Sequence, residues 1–153
     1  MTRDFAERIT WVAVADGEKA LILRNVDTDA KPDLRILSAR EINNPPNRDQ
    51  AAARPGRVND GRAGSARKSA FAETDFHKLG EIQFARELSS RLNAAASVDA
   101  FDRLIIIAPP ATLGELRSHY SAKLRERLAA EIDKDLTRHP VEDIELQVAS
   151  ALA

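Results

Sequence analysis

The chain has no cysteine, one tryptophan, one tyrosine and only six glycines in 153 residues. Without cysteine there is neither a disulfide framework nor a thiolate metal site, which fits a reducing compartment. No apolar run approaches the ~20 residues that a membrane-spanning helix needs. The N-terminus carries Arg3, Asp4, Glu7 and Arg8 ahead of a short apolar run, without the long apolar core and small-residue cleavage site of a secretory signal. A cytoplasmic location and no membrane partner are therefore expected. The net charge is only −1, so a nucleic-acid role would have to rest on a local patch.

The usual catalytic constellations are missing as well. Two-metal nuclease chemistry needs converging carboxylates to clamp the attacking and leaving oxygens. The first strand reads TWVAVA and offers none, Asp16 suits a turn, and Asp133 and Asp135 suit an exposed strand. His77, His119 and His139 lack the spacing of a zinc site. Ser65, Ser69, Ser89 and Ser90 have no nucleophile-elbow context. Gly56, Gly61 and Gly64 alternate with arginines rather than following a phosphate-binding fingerprint. The expectation is no metal, no small-molecule cofactor and no catalytic residue, hence a binding protein rather than an enzyme.

What is present is an alternation of strands and helices. ITWVAVA (9–15) is almost continuously apolar and β-branched, as in a strand buried on both faces. Asp16-Gly17 predicts a two-residue hairpin, because both turn positions tolerate positive φ, leading to KALILRNV (19–26) and then LRILSA (34–39). A helix is expected from Thr74 or Asp75, both good caps, with Phe84, Leu88, Leu92 and Ala95 as its buried stripe. RLIIIA (103–108) is a second doubly buried strand, stopped by Pro109-Pro110. A helix through Leu113, Leu116 and Tyr120, extending toward Leu128, follows. AEIDKDL (130–136) alternates in the manner of an edge strand. Pro140 opens a last helix with Val141, Ile144, Val148 and Leu152 buried. The order β-β-β-α-β-α-β-α predicts one α/β domain over 1–153: a ribonuclease-H-like mixed five-stranded sheet, its first and fourth strands central and helices on its faces. Trp11, Phe101 and Tyr120 are expected to be packing residues.

The conspicuous exception is residues 43–72, which hold three of the six glycines and three of the seven prolines. Six cations face two acids there, a local net charge of +4 against about −5 for the remainder. So little apolar surface cannot offset the entropy of ordering, which predicts a flexible basic loop. Arg54, Arg57, Arg62, Arg67 and Lys68 are the candidate contacts to RNA or another acidic partner, and Gly56, Gly61 and Gly64 give the loop its backbone freedom. Arginine matches phosphate and stacks on exposed bases. The alternative is a solvated loop whose charge balances the acidic remainder.

Three stretches, WVAVADGEKALILRN, LIIIAPPATLGELR and EIDKDLTRHPVEDI, resemble the host-attachment proteins, those required for attachment to host cells. That family is similar in turn to the middle domain of archaeal and eukaryotic peptide-chain release factors. In those factors a loop between a strand and a long helix carries a catalytic Gly-Gly-Gln. Gly61-Arg62-Ala63-Gly64-Ser65-Ala66 occupies the corresponding place, with Ala63-Gly64-Ser65 instead of the tripeptide. The resemblance implies a binding protein that contacts RNA or the ribosome. It alternatively implies a protein-interaction factor acting indirectly in attachment. A peptidyl-tRNA or ester hydrolase is disfavoured by the altered tripeptide.

Overall fold

The computed structural model describes the backbone of residues 8–42 and 63–153, and the side chains of 8–42 and 76–153. Five strands, β1 (Thr10–Ala15), β2 (Lys19–Asn25), β3 (Leu34–Glu41), β4 (Arg103–Ala108) and β5 (Leu128–Asp133), form one sheet in the order β3-β2-β1-β4-β5. β1 and β2, and β2 and β3, pair antiparallel; β1 and β4, and β4 and β5, pair parallel. This is the expected ribonuclease-H-like arrangement, with β1 at the centre and β4 beside it.

The central pair shows why. In β1, Val12 and Val14 face one apolar cluster while Ala13 and Ala15 face another. In β4, Ile105 and Ile107 join the first, and Leu104, Ile106 and Ala108 join the second. A strand apolar on both sides is stable only where both faces are covered. Three helices cover one face: α1 (Ala63–Ser97), α2 (Pro110–Arg117) and α3 (Ala122–Arg127). One helix, α4 (Val141–Leu152), covers the other, burying Ile144 and Val148 with Val141 and Leu152 beside them, the expected stripe. Trp11 packs on the buried Phe101 with ring centroids 5.1 Å apart, also as expected.

Four local expectations are corrected. The β1–β2 turn spans three residues, 16–18, and no described glycine has positive φ. The Asp16 side chain makes the turn instead: its Oδ1 accepts from the N–H groups of Glu18 (2.7 Å) and Lys19 (2.6 Å). A methyl on Gly17 would lie 2.7 Å from Glu81 Cγ, so that exposed side chain would have to shift. The helix expected through 113–128 is two helices. Between them Asn93 of α1 donates to the His119 carbonyl (2.8 Å) and accepts from the Ser121 N–H (2.9 Å), and Ser121 caps α3 through the Leu124 N–H. β5 starts at Leu128 and ends at Asp133, with a register shift opposite Leu104/Ile105. Finally, α1 already exists at Ala63, eleven residues before the expected start, so residues 63–72 of the expected loop are helical.

Candidate functional site

β3 leaves the sheet at Glu41, at the end where β1, β4 and β5 also terminate. α1 returns there from Ala63. Its first described buried residue is Phe84, and Glu81 abuts the β1–β2 turn. Phe76 and Leu79 are 74% and 61% exposed. Eighteen residues of α1 precede Glu81, about 27 Å of helix at 1.5 Å per residue.

The candidate residues divide accordingly. Gly64, Arg67 and Lys68 lie on the first turns of α1, whose side chains there fall outside the described set. Arg54, Gly56, Arg57, Gly61 and Arg62 lie outside the described residues altogether. His77 and Lys78 extend the polar surface of the same helix and are exposed. A cavity of about 300 Å³ opens at the foot of the helix, with Ile42 and Phe84 as its apolar lining and Arg40, Glu41 and Glu87 as its charges.

The end of the sheet at which β3 terminates is held by contacts between distant segments. Thr137, buried after β5, donates its hydroxyl proton to Asp16 Oδ2 (2.8 Å) and lies 3.0 Å from Asp135 Oδ1. One hydroxyl has one proton, so it bonds these two carboxylates one at a time. Two of the resembling stretches, WVAVADGEKA and EIDKDLTRHP, thus meet at one point. Thr137 was not among the residues singled out from the sequence. Its partner is 121 positions away, and no local spacing signals the contact.

Other polar groups are engaged structurally. Arg103 holds Asp29 through two bonds (2.7 and 3.1 Å) and lowers its pKa from the ordinary carboxylate value. Lys123, and beside it Arg127, lower that of Asp99. Burial raises the pKa of the Tyr120 phenol, reinforced by Glu131, to which Tyr120 donates (3.1 Å) and on which Arg117 also converges. His139 Nδ1 lies 3.0 Å from Asp143, and Pro140 itself occupies the cap position of α4. Among the described residues no three of His, Cys, Asp and Glu come together as a metal site, and no helix is long and apolar enough to cross a membrane.

Comparison with known proteins follows this geometry. The structure described as the archaeal translation termination factor aRF1 is similar at 12% identity and a TM-score of 0.46, over 93% of this chain and 37% of that one. No curated protein matches by sequence. These comparisons give the host-attachment label no support. The family model titled bacterial archaeo-eukaryotic release factor family 12 matches residues 9–148, and the chain belongs to that family.

Proposed function

We propose that this chain is a non-enzymatic, translation-associated binding protein that contacts ribosomal RNA through its cationic stretch. The observation that carries the reading is the place of the cationic stretch between β3 and α1. In a release-factor-family domain the most basic span of the sequence lies between β3, which ends at Glu41, and α1, which begins at Ala63. In this reading Arg54, Arg57, Arg62, Arg67 and Lys68 contact phosphates, and Gly56 and Gly61 let the backbone follow an irregular surface. Hydrolysis of peptidyl-tRNA is not part of the proposal, because Ala63-Gly64-Ser65 supplies neither the second glycine nor the glutamine.

The test is co-sedimentation with purified ribosomes across a salt series. Five phosphate contacts predict a log–log slope of about −3.5 to −4.5, a loss of about 10²–10³ in affinity between 50 and 200 mM salt. A variant with the five cations replaced by alanine is expected to lose most of the association and nearly all of the slope. Unchanged sedimentation of that variant would remove these residues from the interface.

A further inference from the structure

We infer that the α1 side of β2 and β3 is a second RNA-contact surface, on which Arg24, Arg35 and Arg91 take phosphates of the backbone. This rests on the RNA reading above and adds a contact region in the folded body of the domain. Arg24 of β2 is the register partner of Arg35 in β3 and of Trp11 in β1, so the three form one row across the sheet. Side chains in one row stand on one face, and Trp11 packs against the cluster beneath α1. Both guanidinium groups therefore rise on the α1 side, and both residues are exposed.

Like charges placed directly opposite, with Cβ atoms about 4.5–5.5 Å apart, weaken a sheet. Among the described residues Asp33 alone answers the pair, binding Arg35 at 2.9 Å on an exposed surface where such contacts contribute little. Arg24 has neither an ion pair nor a side-chain hydrogen bond among them. An anion lying between the two forks removes the repulsion, and the planar guanidinium matches phosphate geometry.

The surface continues along β3. Arg91 of α1 donates to Ser38 Oγ at 3.0 Å, and Arg40 lies 3.9 Å from Glu87 of α1. The register shift after Ile36 is what returns Ser38 and Arg40 to the side of Arg35, because their partners Ile22 and Ala20 belong to the α1-side cluster. Positions 35, 38 and 40 follow one another at about 7–10 Å along the strand. Cations at such intervals fit a chain of phosphates rather than one small anion. Glu87 already answers Arg40, which leaves Arg24, Arg35 and Arg91 as the principal contacts.

Trp11, the only tryptophan, is half-buried in the row of Arg24, so its fluorescence reports on this face. Titrating the full chain with a short single-stranded oligouridylate should change that fluorescence saturably. Arg24→Gln and Arg35→Gln should each weaken binding about three- to tenfold at low salt and reduce the log–log salt slope by about 0.7. Arg24→Gln also relieves the like-charge pair, so its urea midpoint should stay at or above wild type, where a merely structural arginine would lower it. The variant with the five cations of the basic stretch replaced by alanine should keep the fluorescence change at reduced affinity. If that variant alone loses it, RNA sits on the basic stretch only, which overturns this inference and leaves the earlier reading standing. No saturable change in wild type, or unchanged affinity of both glutamine variants, overturns it as well. So does polyglutamate of matched charge that competes as strongly as RNA.

Discussion

At the scale of single residues, the fold relies on side chains that finish what the backbone leaves open. Asn93 is the clearest. With one amide it satisfies a carbonyl and an N–H on either side of the break between α2 and α3. Asn93→Ala strands both groups, a cost of about 1–3 kcal/mol for each that stays buried. Asn93→Asp keeps the acceptor but sets a carboxylate oxygen against the His119 carbonyl, so urea unfolding should rank it below wild type as well. Equal stability of all three would mean that water replaces the amide. Asp99 plays a comparable part at the end of α1. It takes φ of 58°, its N–H bonds to the Ala96 carbonyl, and the Ala100 N–H bonds to that of Ala95, the pairing that closes a helix around a left-handed residue. Aspartate tolerates that conformation better than most side chains, and here it also gathers Lys123 and Arg127.

At the scale of elements, legibility followed hydrophobic pattern. β1 and β4 were readable as central because each is apolar on both faces, and α4 because its stripe keeps a helical period. That reading makes a sharp contrast testable on one helix. Ile144 is fully buried and Leu146 is 68% exposed. Ile144→Ala should destabilise by about 2–4 kcal/mol, whereas Leu146→Ala should stay within about 0.5 kcal/mol, both measured by urea denaturation. Comparable losses at the two positions would mean that α4 is rotated from the described orientation. Turn geometry was less legible. Asp16-Gly17 marked the hairpin, but the Asp16 carboxylate, rather than two left-handed residues, shapes the turn. The start of α1 was hidden for a different reason. Gly64, Ser65 and the cations around them favour a loop by composition, and no apolar stripe in 63–72 announces a helix against a partner surface. Of the candidate site, the sequence disclosed the charge and its position between β3 and α1. It did not disclose that α1 is already helical at Ala63.

At the scale of the whole molecule, stability and the proposed contact surface occupy different parts of the chain. Every described core residue falls within 10–34 or 84–148. The span 43–62 contains one bulky apolar side chain, Val58, and four arginines. Burying one valine contributes about 1.5–3 kcal/mol at most, against an ordering cost of about 1–2 kcal/mol for each residue fixed. On composition alone the span is expected to add little to the folded state. Replacing 43–62 with a Gly/Ser linker of equal length preserves loop length, so the closure entropy is nearly unchanged. Such a chain should unfold in a single cooperative transition with its urea midpoint and slope close to wild type, while its ribosome co-sedimentation falls by the share that Arg54, Arg57 and Arg62 supply. A large drop in the slope would mean that the span buries surface in the native state. The arginines would then belong to the body of the domain and not to an arm extended from it.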